Sequence, residues 1–521
     1  RAPGLPKHFG GPFRFSREVL MNAEYAPLHR STPDDASRHR LAWATFTADL
    51  ATPVGLFLAL RGRGRRVCLL ESAPGEARLA RYSFLGVDPS ASFRGKGRQH
   101  RLSVKGSGGE ERVIEGALID ALRQALALAP APRPPRDLPP FCGGWVGFFA
   151  YEWSSELEPR VPRAKLDPWN VPDATLDRYD DVLAIDHASQ KLYIMAAAPG
   201  GAADFEAAQA RIDAIARDAF AGHEGSGDLI LEGEPEGRTE PAAYRGWVDA
   251  MRAAVAQGEI FQGVPSQRFE QKFTGDVFTL YRVLRLANPS PHMFFFEADG
   301  LTLVGSSPER LVAVRGGKVE NRPIAGTRPR GATPDEDERL AEELIGDAKE
   351  CAEHDMLVDL ARNDLGRVAR IGTVRVREHR ALERFARVQH LVSRVECDLA
   401  AGKDALDALV ASFPAGTVTG APKVRAQEII ASLERETRGP YSGAFGYLDG
   451  AGNLDVALII RSFAVRDGVV SVQAGAGVVF GSDAEAERQE TLHKVQALFE
   501  AAKLTGTPAF RSAQGAKGDA R

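Results

Sequence analysis

Glutamates spaced three residues apart, on a segment with helical periodicity, provide the first chemical signal in the sequence. Glu350 and Glu353 fall on the same helical stripe as Leu357 and Leu360, at positions i, i+3, i+7 and i+10. A like-charged pair that shares a stripe with buried leucines is costly unless a cation neutralises it. The spacing therefore fits either a charged surface or half of an oxygen-rich Mg²⁺ site.

A second Glu-x-x-Glu pair lies on the last predicted helix. Glu487 and Glu490 share a face that is separate from the apolar face of that helix, and Lys494 follows one turn later. Ser482 and Glu485 have the spacing of a capping box, which predicts where the helix begins. Taken alone, Glu490 and Lys494 fit a solvated ion pair worth about 0.3–0.5 kcal/mol. A second carboxylate helix facing the first would complete the Mg²⁺ site.

The elements that must position these glutamates are antiparallel strands and amphipathic helices. Strands are predicted at Val54–Leu60, Arg66–Leu70, Asp181–Asp186, Lys191–Ala196, His292–Glu297, Leu301–Gly305, Leu311–Arg315, Lys318–Ile324, Ala444–Leu448, Leu454–Val465 and Val469–Ala474. Helices are predicted at Ala202–Phe220, Tyr244–Ala256, Asp335–Leu365, Lys403–Ser412, Lys423–Ser432 and Asp483–Lys503. Short turns between successive strands indicate antiparallel pairing, because parallel strands need a long crossover. The predicted class is α+β, with large antiparallel β-sheets flanked by helices.

Composition and charge exclude several classes of protein. The 521 residues carry 66 Lys or Arg and 70 Asp or Glu, a formal charge of −4, without a basic block that could bind a run of phosphates. No apolar run approaches the roughly 18 residues of a membrane span. The four cysteines lie far apart, without the spacing of a metal or redox site. These features predict no nucleic-acid partner, no membrane association and a cytoplasmic location.

Composition shifts divide the chain into units. Proline-rich residues 129–140 and the Gly-, Glu- and Pro-rich residues 222–241 are predicted to be connectors. We predict an amino-terminal lobe over residues 12–200, a helix and linker over 201–242, a larger unit over 243–504, and a disordered tail over 505–521. The length itself favours more than one core, since single cores stop growing near 250–300 residues.

Five motifs of the larger unit resemble those of the chorismate-utilising enzymes. They are Pro323–Gly331, Ala352–Gly366, His390–Ser393, Phe413–Lys423 and Glu487–Lys494. The resemblance is strong from about residue 243 to residue 503, and looser in the amino-terminal lobe, through Leu69–Ser72 and Gly143–Gly147. It implies two interlocked lobes, with the catalytic chorismate site in residues 243–504 and a feedback site in residues 12–200.

The resemblance also implies a role for individual residues. Glu353 and Glu490 would bind Mg²⁺ directly, while Glu350 and Glu487 would hold metal-bound waters. Arg461 and Tyr441 would bind the enolpyruvyl carboxylate, with backbone N–H groups at Ala476 and Gly477. His390 would assist departure of the ring hydroxyl. Thr417, Gly326 and Thr327 would line the ring, and Lys494 would reach the same pocket.

Two positions distinguish the reactions of this family. Relatives that add water carry a lysine base where this sequence has Gln262, and the 4-aminobenzoate branch carries a nucleophilic lysine where it has Ala325. The resemblance therefore indicates the branch that adds ammonia beside the carboxylate-bearing carbon and releases pyruvate to form anthranilate. An aminodeoxychorismate-type enzyme, including one that stops at an amino intermediate, stays open. A non-catalytic tryptophan-binding regulatory subunit is disfavoured by the intact set of glutamates.

The same resemblance implies regulation and a partner. Glu71, Ser72, Pro291, His292 and Met293 resemble a feedback site for L-tryptophan, although His292 replaces the usual tyrosine. None of the four cysteines lies in the Gly-x-Cys-x-Gly turn of glutamine amidotransferases. A separate amidotransferase subunit, component II, is therefore expected to supply ammonia, in a heterotetramer of two large and two small subunits.

Overall fold

Two large antiparallel sheets pack face to face in the computed structural model of the chain. The structure describes residues 26–72, 81–105, 110–127, 134–384 and 388–506, together with residues 132 and 510. Each sheet has 12 strands, and every pair of neighbouring strands in them is antiparallel. The predicted α+β class is confirmed.

The first sheet draws its strands from both ends of the chain. Its spatial order is β1 (His29–Arg30), β2 (Leu41–Thr47), β11 (Lys191–Ala197), β10 (Asp181–Asp186), β4 (Tyr82–Val87), β3 (Val67–Glu71), β15 (His292–Ala298), β16 (Leu301–Ser307), β25 (Ser462–Arg466), β26 (Val469–Gly475), β14 (Ser266–Gly275) and β12 (Leu229–Gly237). The amino-terminal strand β3 pairs with β15, where Met293 lies opposite Glu71. Hydrogen bonding therefore joins the two predicted lobes into one sheet.

The second sheet is also shared between the lobes. Its order is β19 (Ile324–Pro329), β21 (Val388–Asp398), β18 (Lys318–Asn321), β17 (Arg310–Arg315), β24 (Leu454–Leu458), β23 (Ala444–Asp449), β8 (Gly144–Phe149), β9 (Ala174–Tyr179), β5 (Ala91–Lys96), β6 (Gln99–Val104) and β7 (Glu110–Glu115), with β20 (Arg375–Arg384) paired to β21. A separate two-stranded ribbon joins β13 (Gln262–Gly263) to β22 (Gly420–Ala421). The lobes are interlocked, as the resemblance implied.

The described part of the chain contains twelve α-helices. They are α1 (Pro33–His39), α2 (Pro53–Gly62), α3 (Leu118–Ala127), α4 (Ser154–Leu157), α5 (Ala202–Phe220), α6 (Pro241–Ala256), α7 (Phe278–Ala287), α8 (Pro334–Gly346), α9 (Ala348–Gly366), α10 (Ala405–Ser412), α11 (Lys423–Leu433) and α12 (Ala484–Lys503). Helices α2, α5, α7 and α12 bury apolar side chains against the first sheet. Helices α3, α9 and α10 do so against the second. None of the helices described is long and apolar enough to cross a membrane.

Aromatic side chains fill the space between the two sheets. Phe294 of β15 and Phe445 of β23 stack with ring centroids 4.1 Å apart, and Phe296 meets Phe445 edge to face at 5.6 Å. Alternate residues of β15, including Phe295, point to the opposite face and pack against helices. Both faces of the first sheet are therefore buried here, giving four layers in the order helix, sheet, sheet, helix.

Three segments differ from the predicted elements because tertiary context outweighs the local pattern. Val54–Leu60 was predicted to be a strand, but it lies in α2, which Thr52 caps by accepting a hydrogen bond from the N–H of Gly55. The predicted strand Leu454–Val465 is two strands in different sheets, because the chain crosses between sheets at Ile459–Arg461. The predicted helix Asp335–Leu365 breaks at Asp347, which adopts an extended backbone and caps α9.

One predicted connector and the start of the predicted disordered tail are more structured than expected. Residues 222–241 contain β12, the edge strand that pairs with β14. The tail was predicted to be disordered from residue 505, yet the Thr505 hydroxyl donates to the carbonyl of Leu229 and Phe510 packs over Arg282 at 4.7 Å. The other residues of the predicted tail, 507–509 and 511–521, lie outside the described residues. Residues 12–25 of the predicted amino-terminal lobe also lie outside them.

Candidate active site

Helices α9 and α12 bring the two glutamate pairs toward one another. Burial raises the pKa of Glu353, as do the nearby charges of Glu350 and Glu490. Burial also raises the pKa of Glu487, to which the charge of Glu490 contributes. The charges of Glu350 and Glu490 therefore lie near enough to Glu353 to repel it. Binding of one Mg²⁺ by Glu350, Glu353, Glu487 and Glu490 stays a prediction.

The caps of the two helices fix where those glutamates lie. The carboxylate of Asp347 accepts from the N–H groups of Lys349 and Glu350 at the start of α9. The start of α12 was predicted to be a capping box of Ser482 and Glu485. Asp483 caps it instead, accepting from the N–H groups of Glu485 and Ala486. A carboxylate near a helix N-terminus also meets the positive end of the helix dipole.

Cationic side chains pair with two of the four carboxylates. Arg328 donates to Glu350 at 3.3 Å, and Lys494 donates to Glu490 at 2.6 Å. Among the described residues, no three Asp, Glu, His or Cys side chains close on a single point. Hard carboxylate oxygens at the ends of two facing helices nevertheless fit Mg²⁺, which keeps several waters and takes few protein ligands. In the structure, Arg328 and Lys494 supply the positive charge that Glu350 and Glu490 face.

Gln262 lies directly beside the glutamates. Its amide nitrogen donates to Glu353 Oε1 at 3.0 Å, while its amide oxygen is buried without a hydrogen-bond partner. Gly477 packs against it, and a Cβ atom at this position would lie 2.5 Å from the Gln262 amide nitrogen and displace that side chain. The site thus holds a neutral amide whose oxygen is free to accept a hydrogen bond. This is the position at which the sequence analysis expects a lysine in enzymes that add water.

Arg461 and Tyr441 form the second polar group of the site. Arg461 has a left-handed backbone, with φ of 52°, and makes no ion pair within the described part of the chain. Burial lowers the pKa of its guanidinium, and the nearby Tyr441 and Glu490 offset only part of this effect. A half-buried cation without a carboxylate partner in the described part of the chain is suited to bind an anionic substrate group. The N–H of Ala476 is already donated to the carbonyl of Pro265 at 3.4 Å.

His390 lies on β21 opposite Thr327 of β19. Its Nδ1 is 3.1 Å from the carbonyl oxygen of Gly326 and 3.0 Å from the Thr327 hydroxyl. Burial lowers the pKa of His390, so the imidazole is neutral at physiological pH. The positive φ of Gly326, 73°, lets the strand pass close to Glu350, whose Oε2 would be 3.3 Å from a Cβ atom. The structure therefore brings the predicted His390, Gly326 and Thr327 together beside α9.

Glu309 is a candidate functional residue that the sequence reasoning missed. Its carboxylate accepts a hydrogen bond from the hydroxyl of Thr417 at 2.8 Å. Burial raises its pKa to about 8, so the side chain carries a proton at neutral pH. Glu309 lies in the short turn between the apolar strands β16 and β17, which was the available signal, since carboxylates are rarely buried without a purpose. Glu309 supplies the site with a proton donor.

Arg438 is a second missed residue, and it holds the walls of the site together. Its guanidinium pairs with Glu434 at 2.6 Å and is almost fully buried. It also donates to the carbonyls of Val264 and Val418, at 2.7 and 2.9 Å. These carbonyls belong to the segments that carry Gln262 and Thr417. The charge pair thereby positions two parts of the site that are distant in sequence.

The five residues of the expected feedback site line one cavity of about 170 Å³. Ser72 donates to the carbonyl of Pro291 at 2.7 Å, while Glu71 accepts from the Tyr281 hydroxyl at 2.6 Å and from Arg285 at 2.8 Å. Burial lowers the pKa of His292 to about 3, which keeps that imidazole neutral. Phe445, Tyr447 and Asp455 of the second sheet complete the cavity. It lies between the sheets and is separate from the glutamate pairs.

Comparisons with known proteins identify the family of the chain. The model of the chorismate binding enzyme family matches residues 65–500. Anthranilate synthase component 1 of Cereibacter sphaeroides is 41% identical over 491 residues, covering 92% of this chain and 98% of that protein. The component 1 of Thermus thermophilus is 43% identical over 466 residues, covering 88% of this chain and 97% of that protein.

A solved structure shows the same relationship in three dimensions. Anthranilate synthase component I from Streptococcus pneumoniae superposes with a TM-score of 0.69 at 34% identity, covering 82% of this chain and 93% of that one. Residues 65–500, the range that the family model matches, contain both glutamate pairs, Gln262, His390 and Arg461. The chain therefore belongs to the chorismate-binding enzyme family, within the group formed by anthranilate synthase component 1 proteins.

Proposed function

We propose that the chain is the aminating subunit of an anthranilate synthase, which converts chorismate and ammonia to anthranilate, pyruvate and water. The neutral amide of Gln262, hydrogen-bonded to Glu353, is the observation that carries this assignment. Water needs a base to become a nucleophile, whereas ammonia is already one, and Gln262 cannot act as a base. Ala325 likewise provides no amine to attack the ring. Ammonia is the nucleophile that this site suits.

Substrate binding follows from the charges of the site. Glu353 and Glu490 are the proposed direct ligands of Mg²⁺, with Glu350 and Glu487 bonded to its waters. The bound cation would supply positive charge to the ring carboxylate of chorismate and withdraw electron density from the ring. Arg461 and Tyr441 bind the enolpyruvyl carboxylate, which holds the ring between the glutamate helices and the first sheet.

Two acid–base groups serve the two proton transfers of the proposed reaction. Ammonia adds to the ring carbon next to the one that bears the carboxylate, and the ring hydroxyl leaves as water, for which it must accept a proton. Glu309 holds that proton at neutral pH, because burial raises its pKa to about 8. His390 is neutral and accepts the proton released later, when pyruvate is eliminated and the ring becomes aromatic. Thr417 positions Glu309 through its 2.8 Å hydrogen bond.

A separate glutamine amidotransferase subunit is the proposed source of ammonia. All four cysteines of this chain are buried, and none lies in an amidotransferase turn. The isolated chain is thus expected to use ammonium but not glutamine, and to work faster as rising pH increases the fraction of free ammonia. The expected assembly contains two copies of each subunit.

L-Tryptophan is the proposed feedback ligand of the cavity formed by Glu71, Ser72, Pro291, His292 and Met293. The cavity is lined by both sheets, so a ligand there would favour one arrangement of the sheets over another through its differential affinity. Neutral His292 adds no charge to repel the ammonium group of an amino acid, and Glu71 offers a carboxylate to it. Inhibition of ammonia-dependent synthesis by tryptophan is the expected readout.

Product identification tests the assignment directly. The purified chain is incubated with chorismate, MgCl₂ and ammonium, and anthranilate is followed by its fluorescence while pyruvate is measured in parallel. Equal amounts of the two products are expected. Formation of isochorismate, or accumulation of an amino-chorismate without pyruvate, would overturn the role assigned to Gln262 and Ala325. Ala325→Lys provides a matched variant, since it adds an amine near the ring and is expected to reduce anthranilate formation.

A further inference from the structure

Glu152 is a buried carboxylate of the amino-terminal lobe that the chemistry described above does not use. It lies in the short 3₁₀ helix Tyr151–Trp153, just after β8, and is only 6% exposed. Burial of a carboxylate is costly unless its oxygens accept hydrogen bonds. The groups that donate to Glu152 therefore indicate what this side chain holds in place.

Both oxygens of Glu152 accept from one short stretch of backbone in the larger unit. Oε1 accepts from the N–H of Arg438 at 2.6 Å, and Oε2 accepts from the N–H of Gly439 at 2.9 Å. The N–H of Tyr151 donates to the carbonyl of Gly439 at 2.9 Å. Three hydrogen bonds thus hold these two residues of the larger unit against the 3₁₀ helix that contains Glu152.

A second segment of the amino-terminal lobe holds the residues just before them. Leu166 and Glu436 form a parallel bridge, and the N–H of Thr437 donates to the carbonyl of Leu166 at 2.8 Å. The hydroxyl of Thr437 donates to Asp167 at 2.9 Å. This stretch of four residues is therefore held on the amino-terminal lobe, and Glu152 holds the end of it that leads into the site.

The stretch leads into Tyr441, which the proposed function assigns to the enolpyruvyl carboxylate. Tyr441 lies two residues after Gly439, and its hydroxyl lies 3.1 Å from the position of a Cβ atom at Gly475. The guanidinium of Arg438 lies over the ring of Tyr151 at 4.5 Å and over the ring of Tyr441 at 5.8 Å. A displacement of the backbone held by Glu152 would therefore move both Tyr441 and the cation beside it.

The two hydrogen bonds depend on the ionisation of Glu152. A carboxylate accepts at both oxygens, whereas a carboxylic acid converts one of them into a donor. Burial raises the pKa of Glu152 to about 7, although the two backbone N–H groups and the charge of Arg163 oppose this rise. Both hydrogen bonds are therefore complete only when the pH is above about 7.

The charged and titratable groups around Glu152 come from three segments. Arg163, which pairs with Asp173 at 2.8 Å, interacts with the charge of Glu152. Arg268 of β14 and the phenol of Tyr151 also interact with it. Burial lowers the pKa of Arg268 and raises the pKa of Tyr151 to a value far above neutrality. Glu152 is thus the group of this set that changes its charge near pH 7.

We propose that Glu152 is a positioning residue of the active site, which places Tyr441 for substrate binding by holding the backbone of Arg438 and Gly439. This inference rests on the proposed function. Glu152 touches no substrate group, and its effect passes through two backbone N–H groups. The amino-terminal lobe thereby contributes to binding of the enolpyruvyl carboxylate, because small displacements of a binding group weaken its contact with the substrate.

Glu152→Gln tests this role, because the amide keeps the shape of the side chain but presents a donor to one of the two N–H groups. KM for chorismate, measured with MgCl₂ and saturating ammonium at pH 8, is expected to rise about tenfold. The value of kcat is expected to stay within about threefold of the wild type. A change confined to KM indicates a loss of substrate binding rather than of the chemical step.

The pH dependence of chorismate binding provides a second readout. Kd is measured by titration calorimetry with MgCl₂ and without ammonium, so that no amination occurs. At pH 6 the wild-type carboxyl is mostly protonated, and the two proteins are expected to agree within about twofold. At pH 8 the wild type is expected to bind chorismate about tenfold more tightly than Glu152→Gln.

Glu156→Gln is the matched control from the adjacent helix α4. Glu156 accepts from the N–H of Leu118 at 2.7 Å, and burial raises its pKa as well. That hydrogen bond holds α3, however, and not the stretch before Tyr441. Reduced stability in urea denaturation without a change in KM is expected. An equal rise of KM in both variants would indicate a general structural effect and would overturn the positioning role.

Two further results would contradict the proposal. One is an unchanged KM in Glu152→Gln, and the other is a loss of chorismate affinity that is the same at pH 6 and at pH 8. If Glu152→Gln does not fold, hydrogen exchange of the wild type decides. Protection of the Arg438 and Gly439 amides should rise from pH 6 to pH 8 relative to the amides of β23, and constant relative protection would refute the role.

Failure of the proposed function gives a different pattern. The wild type would then form no anthranilate from chorismate and ammonium at any pH. Hydrogen exchange would still report whether the ionised side chain of Glu152 holds the backbone of residues 438 and 439.

Discussion

Replacing Glu309 by glutamine measures the proton that the buried carboxyl beside Thr417 is inferred to hold. The ordinary pKa of a glutamate is 4.5, and burial raises the pKa of Glu309 to about 8 in the folded chain. Between these two values the folded protein binds a proton that the unfolded chain has lost. Unfolding therefore releases a proton in this interval, and the free energy of unfolding must fall as pH rises.

The magnitude follows from the two pKa values. Each pH unit of the interval corresponds to about 1.4 kcal/mol, so the whole contribution is roughly 5 kcal/mol. This stabilisation is fully present below pH 4.5 and is lost as pH passes through about 8. Glutamine keeps the shape of the side chain without the titration, so Glu309→Gln removes this slope. The variant is expected to gain stability relative to the wild type as the pH rises from 5.5 to 8.5.

Urea denaturation at one-unit pH steps provides the measurement. The quantity compared is the difference in unfolding free energy between wild type and variant, since other titrating groups then cancel. Glu342→Gln, on the exposed face of α8, is the matched control and is expected to give a flat difference. Infrared difference spectra in the carboxylic acid region provide an independent check of the proton at pH 7. Parallel stability curves for wild type and Glu309→Gln, together with no acid band, would refute the protonated carboxyl.

Four further substitutions examine other parts of the proposal. Glu353→Gln is expected to weaken Mg²⁺ binding in titration calorimetry and to lower kcat at least about 100-fold, whereas wild-type Mg²⁺ affinity would contradict its role as a ligand. Arg461→Gln should raise KM for chorismate about 10–100-fold, as expected for the loss of a charge-assisted hydrogen bond. An unchanged KM would exclude Arg461 as the residue that binds the enolpyruvyl carboxylate. Ser72→Phe should abolish inhibition by tryptophan without changing uninhibited activity, and retained inhibition would argue against the cavity. Arg438→Met leaves Glu434 buried without its cation and should cost about 3–5 kcal/mol in urea denaturation, part of which Glu434→Gln in the same chain should restore.

The site was largely predictable because helical periodicity is a local property. The Glu-x-x-Glu spacing fixes which carboxylates share a helix face, whatever the rest of the fold does. The structure places both pairs in the first turns of helices, α9 and α12, as this spacing indicated. Spacing does not tell what a helix face contacts, because its neighbours come from distant parts of the chain. A charged surface therefore stayed open as an alternative to a metal site.

The differences arise where distant parts of the chain decide the local structure. Val54–Leu60 is apolar throughout, and a short apolar run fits a buried strand as well as a buried helix. The crossing at Ile459–Arg461 is set by the pairing of β24 and β25 with different sheets, which no local pattern records. Glu309 was missed for a related reason, since its raised pKa depends on burial by segments far away in sequence.

The crossing between sheets also has a mechanical consequence. Strand β24 contributes Asp455 and Ala457 to the cavity between the sheets, and only three residues then separate its end from β25 in the other sheet. Arg461 is the last of those three. A connection this short has almost no slack, so any ligand that changes the separation of the sheets must change the backbone of Arg461. Arg461, which would hold the substrate carboxylate, is thus the residue whose backbone changes when the distance between the two sheets changes.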